Sequence, residues 1–143
     1  MTEDTIARWE HFPHMADLGV RGYGRTPEKS FEQAAVALTA AIVDPAEVAS
    51  LQPVPIVCAA PDLEVLFVDW LNALIYDMAT RKMLFGRFEV KLDGTRLKAT
   101  AWGEAVDRQR HQPAVDVKGA TYAELRVTQE KDGSWIAQCV IDV

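Results

Sequence analysis

The chain has 143 residues, 49% apolar and 25% charged, enough for one domain, spanning 1–143, with a buried core. Acidic residues outnumber basic ones, 21 to 15, for a formal charge of −6. That balance argues against a protein that grips nucleic acid through its own phosphate contacts, which need a basic face; it leaves open work beside nucleic acid through another protein. Two cysteines, Cys58 and Cys139, lie in separate apolar runs with no C-x-x-C pair, so they read as reduced, buried thiols rather than a redox or zinc motif. The polar, acidic opening from Met1 to Arg8 is not the start of a signal peptide. No apolar run approaches the length of a membrane span, and the chain reads as cytoplasmic.

In chain order, Arg8 to His11 and Leu18 to Gly24 read as short strands joined by a loop containing Pro13, the second alternating Leu18, Val20, Gly22 against Gly19, Arg21, Tyr23. Thr26-Pro27 opens a helix, with Thr26 as cap and Pro27 at its first position. Phe31, Ala34, Ala35, Leu38 and Ile42 give that helix one narrow, Ala-rich stripe suited to close packing on a sheet. Asp44-Pro45 ends it. Val54 to Ala59 is a strand candidate that Pro53 and Pro55 place at a sheet edge or make irregular. Asp62 caps the clearest element, a helix whose apolar residues run Leu63, Leu66, Phe67, Trp70, Leu71, Leu74, Ile75 and Met78.

The remainder reads as sheet. Phe88, Val90 and Leu92 alternate outward to a turn at Asp93-Gly94, and Leu97, Ala99 and Ala101 return. Val115 to Thr121 and Glu124 to Gln129 follow as strands, then a turn at Asp132-Gly133 and a last strand from Trp135 to Val143. The order predicts an α+β fold of two layers, a mixed, mainly antiparallel sheet with two helices packed on one face.

The last strand needs a partner. If Leu18 to Gly24 supplies it, Asp17 meets Asp142, and Val143 adds further oxygens. Hard oxygens gathered this way bind Ca²⁺, Mg²⁺ or Mn²⁺; the competing reading is two solvated charges at frayed ends. His11 and His14 make a poor zinc pair, with no cysteine or third histidine nearby, and read as polar loop residues. His111, in the polar stretch from Gly103, reads by spacing as part of a solvated connection rather than a loop beside a site. Lys118 sits within an apparent strand, where it would face solvent and blunt an edge or meet a phosphate or carboxylate. No nucleophile–base pair and no phosphate-binding glycine loop is present.

Four segments resemble the archease family. They are His14-Met15-Ala16-Asp17-Leu18-Gly19-Val20, the helix from Asp62 to Asn72, the run through Gly103-Glu104, Asp107 to His111 and Val117-Lys118-Gly119-Ala120-Thr121-Tyr122, and the ending Ile141-Asp142-Val143. The resemblance runs the length of the chain. It implies a non-catalytic activator of the RtcB-type RNA ligase, which joins 3′-phosphate to 5′-hydroxyl RNA ends in tRNA splicing and RNA repair. Archease-like proteins promote guanylylation of that ligase, allow multiple turnovers and can broaden its nucleotide use. The resemblance further implies a divalent cation, calcium foremost with magnesium and manganese as alternatives, held by Asp17, Asp142 and Val143. It implies partner activation through Asp17, Lys118, His111, Tyr122 and Asp142, with RNA met only through the ligase. Ala123 departs from the family pattern, which has His after the Thr-Tyr pair, so no role of that histidine carries over. A general chaperone with a structural metal and a small metal-dependent enzyme are the alternative readings.

Overall fold

Alternation at the start of the chain becomes a hairpin. Strand β1 (Arg8–His14) pairs antiparallel with β2 (Asp17–Gly24) around a tight turn at Met15-Ala16. The computed structural model describes residues 6–143; the polar stretch from Met1 to Thr5 lies outside them. Pro13, expected in a loop, is inside β1 opposite Leu18. It is tolerated there because β1 is an edge strand, where a missing N–H can face away from the ladder.

Helix α1 (Pro27–Ile42) starts as its sequence dictates, the Thr26 hydroxyl accepting from the Lys29 N–H at 3.2 Å. Its expected stripe is buried from Phe31 to Ile42. The small residues matter at one crossing: a Cβ on Gly22 of β2 would collide with the main chain of Ser30 and Ala34. Only glycine lets the helix lie this close to the sheet.

After a short 3-10 turn at Pro45–Glu47, β3 (Gln52–Ala59) is an edge strand, as its prolines require. Helix α2 (Leu63–Arg81) is capped by Asp62, which accepts from the Val65 N–H at 2.8 Å. Trp70 is completely buried, donates its indole N–H to the Phe31 carbonyl at 3.1 Å and meets Phe88 edge-on. Strands β4 (Met83–Asp93) and β5 (Arg96–Ala105) form the expected hairpin, with Gly94 at φ +59°.

A short helix α3 (Arg108–His111) precedes β6 (Gly119–Ala120), β7 (Arg126–Gln129) and β8 (Trp135–Asp142). The α+β class stands. The strands divide between two sheets, one of five strands in which β8 pairs β2 on one side and β6 and β7 on the other, and one of three ordered β3-β5-β4. Every pairing among the described strands is antiparallel. Helix α1 packs on β2 and β8 of the larger sheet and on β4 of the smaller; α2 touches strands of both.

One expected strand shortens. Of Val115 to Thr121 only Gly119–Ala120 pairs. The residues before it carry the chain from the smaller sheet to the larger, anchored by the Ala114 N–H on the Ile42 carbonyl at 2.8 Å. Val117 is buried against the core, so its apolar character reflects packing without a ladder.

His111 corrects the sequence reading. Its side chain has no exposed surface, and the solvated connection expected around it is an anchor. The Asp107 N–H donates to His111 Nδ1 at 2.8 Å, which leaves Nε2 to donate to the Glu104 carboxylate at 3.0 Å. Glu104 also accepts from Arg110 at 2.6 Å and from the Ala49 N–H at 2.8 Å. The Arg110 guanidinium, then the Ala49 N–H and His111, hold the Glu104 carboxyl down to about 2.

Trp70→Ala should cost about 3–5 kcal/mol in urea unfolding, chiefly through the cavity left, with loss of the indole hydrogen bond to the Phe31 carbonyl. Glu104→Ala should cost about 1–3 kcal/mol near neutrality, chiefly by leaving the buried His111 Nε2–H unpaired. Because the folded carboxyl titrates below the value of about 4.3 for an unfolded glutamate, its contribution is complete above that value and lost as pH falls toward about 2. Unfolding curves from about pH 7 to about pH 3 should therefore converge for wild type and Glu104→Gln; parallel loss in both would assign the acid sensitivity elsewhere.

Candidate functional site

Register decides where the carboxylates go. In the β2–β8 ladder Leu18 stands opposite Ile141, and both pack against the core. Side chains alternate along a strand, so the next pair outward, Asp17 and Asp142, projects from the other face. Asp17 is also the cross-strand partner of His14, and Asp142 that of Gly119. The result is a row across four strands: His14, Asp17, Asp142, Gly119. The Val143 N–H approaches Asp17 Oδ1 at 3.4 Å, a long contact. Asp17 and Asp142, far apart in sequence, are thus neighbours, as the topological argument requires.

Lys118 enters from the side. It precedes β6 rather than lying within a strand, is exposed, and donates its main-chain N–H to the Asp142 carbonyl at 2.8 Å. Asn72 of α2 fixes the strand that follows: its Oδ1 accepts from the Ala120 N–H at 2.9 Å and its Nδ2 donates to the Ala120 carbonyl at 3.4 Å. The amide so replaces a neighbouring strand on the outer side of β6. In the sequence Asn72 stands out only as an amide flanking the apolar stripe of α2. Thr121 closes the other side, its N–H and hydroxyl both donating to the Val140 carbonyl. Tyr122 beyond it is 64% exposed, and Met15 at the hairpin tip is 95% exposed with φ 53°.

The other candidates separate. His11 and His14 are three apart on one strand and so face opposite ways, and His11 donates Nε2–H to the Ala37 carbonyl of α1 at 2.8 Å. They share no metal. His111 lies outside the row; it holds, through Glu104, the segment that leads into Lys118. Cys139 is buried and its thiol is pushed up to about 12 by that burial; Cys58, half-buried rather than buried, is also raised, chiefly by desolvation.

Like charges on paired strands repel, so Asp17 beside Asp142 favours a cation between them. Among the described residues no three His, Cys, Asp or Glu side chains are grouped to hold a metal ion. The chain offers instead two carboxylates on paired strands, with the Val143 N–H beside Asp17. In the same row, His14 Nδ1 is buried with no hydrogen-bond partner. Such a set fits a hard ion that fills its remaining positions with water or a partner's oxygens; it does not fit a closed zinc cage.

Comparisons with known proteins agree on a family. Residues 9–143 match the archease protein family (MTH1598/TM1083). Protein archease from Pyrococcus abyssi is 38% identical over 142 residues, covering 96% of this chain and all of its own. The Thermococcus gammatolerans protein is 39% identical over the same shares. The solution structure of Methanobacterium thermoautotrophicum protein 1598 superposes with a TM-score of 0.83 at 30% identity, over 94% of this chain and 98% of that one. A Thermotoga maritima archease crystal structure, described as a possible chaperone, shares the fold with a TM-score of 0.63 at 18% identity, over 94% and 96% of the two chains. The chain belongs to the archease family.

Proposed function

We propose that this archease is a non-catalytic activator of an RtcB-type RNA ligase, acting through the Asp17/Asp142 end of its larger sheet. One observation carries the reading: two carboxylates distant in sequence stand side by side at an open sheet end, next to Lys118. Asp17, Asp142 and the oxygens of Val143 would hold a divalent cation, calcium foremost and magnesium or manganese as alternatives. A cation there lowers the electrostatic cost of gathering phosphate charge around the ligase's nucleotide. Lys118 contributes a flexible positive charge able to pair with a phosphate or a partner carboxylate. Tyr122 offers an exposed aromatic surface beside it, and His111 keeps the Lys118 segment in place. RNA is met through the ligase, without base-specific contacts of the chain's own, in the cytoplasm. Wider nucleotide use by the ligase belongs to the same reading.

The non-catalytic role is supported by how the chain's reactive groups are spent. The thiol of Cys139 is held in its protonated form by burial. His111 has both ring nitrogens committed to structural hydrogen bonds. The description of the Thermotoga maritima relative as a possible chaperone favours a second reading, a client-general modulator in which the cation is structural.

A ligation time course with limiting cognate ligase, GTP and Mn²⁺ separates these. Wild-type chain should carry each ligase well past one ligation. Asp17→Ala and Asp142→Ala, folded by circular dichroism, should lower that turnover by at least about tenfold. Full activation by the folded double variant would refute the carboxylate end as the acting part. No effect of wild-type chain would remove the ligase and bring the chaperone reading forward. Calorimetric titration with Ca²⁺ should give one site per chain, abolished in Asp142→Ala; heats unchanged in the variant would move the ion elsewhere.

A further inference from the structure

Away from the carboxylate row the chain has a groove of about 890 Å³, between the C-terminal half of α2 and the stretch Pro113–Val117. Its floor is apolar: Ile42, Ile75, Met78, Met83 and Val117 line it, each keeping a sliver of exposed surface. Two of these five are methionines, whose unbranched side chains repack around different apolar partners. Two cations, Lys82 and Arg108, and one carboxylate, Asp116, also line it. The neighbouring Arg81 and Arg110 are paired with Asp77 and Glu104, whereas Lys82 and Arg108 have no ion-pair partner among the described residues. Asp116 also has no ion-pair partner among the described residues, so the two cations outweigh one carboxylate there; in a chain of net charge −6 that local excess of positive charge favours an anionic visitor.

The wall opposite α2 is the stretch Pro113–Val117. The Ala114 N–H bonds to Ile42 and the Lys118 N–H to Asp142. Between them, the N–H and carbonyl groups of Val115, Asp116 and Val117 have no partner among the described residues. Val115 is 38% exposed, and Tyr76, beside Ile75 on α2, is 67% exposed. Open main-chain groups along one wall can pair with an added strand, and alternate side chains of that strand can drop onto an apolar floor.

We infer that this groove receives an extended segment of the protein partner in which apolar residues alternate with carboxylates. The segment pairs with Val115–Val117, seats its apolar side chains on Met78 and Met83, and gives its carboxylates to Lys82 and Arg108. Because Val117 runs directly into Lys118, this second contact is continuous with the carboxylate row. As a contact to the ligase it rests on the function proposed above; as a peptide-binding groove it stands on the geometry alone.

The test has two arms. A short fluorescein-labelled peptide alternating leucine and glutamate is titrated by anisotropy and by amide chemical shifts. Wild type should bind it, with shifts confined to residues 75–83 and 113–118, and should not bind the leucine–lysine counterpart. Ala79→Glu, at an exposed groove position, and Lys82→Glu/Arg108→Glu should each weaken binding at least about tenfold, with near-ultraviolet circular dichroism unchanged. Absence of binding, equal affinity in the variants, or the same shifts with decanoate or through self-association would overturn the inference. In the second arm, Lys82→Glu/Arg108→Glu should raise the concentration for half-maximal ligase activation at least about fivefold while sparing the plateau. An unchanged midpoint with active wild type would remove the groove from ligase docking and leave the carboxylate end in place. Inactive wild type would instead remove the ligase reading, and the peptide arm alone would decide the groove.

Discussion

The ladder between β2 and β8 is the constraint on which the rest depends. Seven residue pairs join the two strands, from Leu18 with Ile141 to Gly24 with Trp135. The same ladder buries Val20 and Cys139 completely and leaves the aspartates just beyond its end outside the core, Asp142 exposed and Asp17 half-buried. A slip of one residue would exchange the two faces of a strand, sending Asp17 or Asp142 toward the core and an apolar residue into water. Core packing therefore enforces the geometry of the acidic end. The aspartates need make no contribution to stability to be held in place, because Val20, Ile141 and their neighbours do it for them.

A second, smaller constraint governs the approach to that end. Residues 106–118 cross between the sheets with few main-chain bonds, and a segment so lightly laddered would ordinarily be mobile. Glu104 compensates by gathering Arg110, His111 and the Ala49 N–H around one carboxylate. Asn72 then holds the far end at Ala120. Lys118 stands between these two clamps. Its position is set by polar contacts at a distance from it, while its own side chain stays exposed.

These features differ in how far the sequence discloses them. Both long helices are legible, since caps, spacing and length agree: Thr26-Pro27 and Asp62 start where the stripes start. The turns at Asp93-Gly94 and Asp132-Gly133 are legible through residues that tolerate positive φ, which Gly94 and Gly133 adopt. Asp17 beside Asp142 was reachable because one strand at each end of the chain needed a neighbour. Division into two sheets was not, because alternation reports which face is buried and says nothing of which strand lies alongside. Val115 to Thr121 misleads for a related reason: Val117 is apolar because it is buried against the core, and a packed extended chain has the same pattern as a laddered one. His111 looked solvated because its polar neighbours, Arg108 to Arg110, do face water; its own burial depends on Glu104, seven residues away.

The joining of β2 to β8 also has a kinetic side. Residues 18 and 141 must meet before the larger sheet is complete, whereas β4 and β5 are consecutive and close through a two-residue turn. Contacts so distant in sequence form late and slowly, since their loop entropy is lost before any packing is gained. The smaller sheet can assemble early around its local hairpin. Meanwhile β2 waits with one side paired to β1 and the other open. That open side is an unpaired strand edge, a template for association, and it is covered by the strand that carries Asp142. Maturation of the acidic end and protection from misassociation are thus a single event.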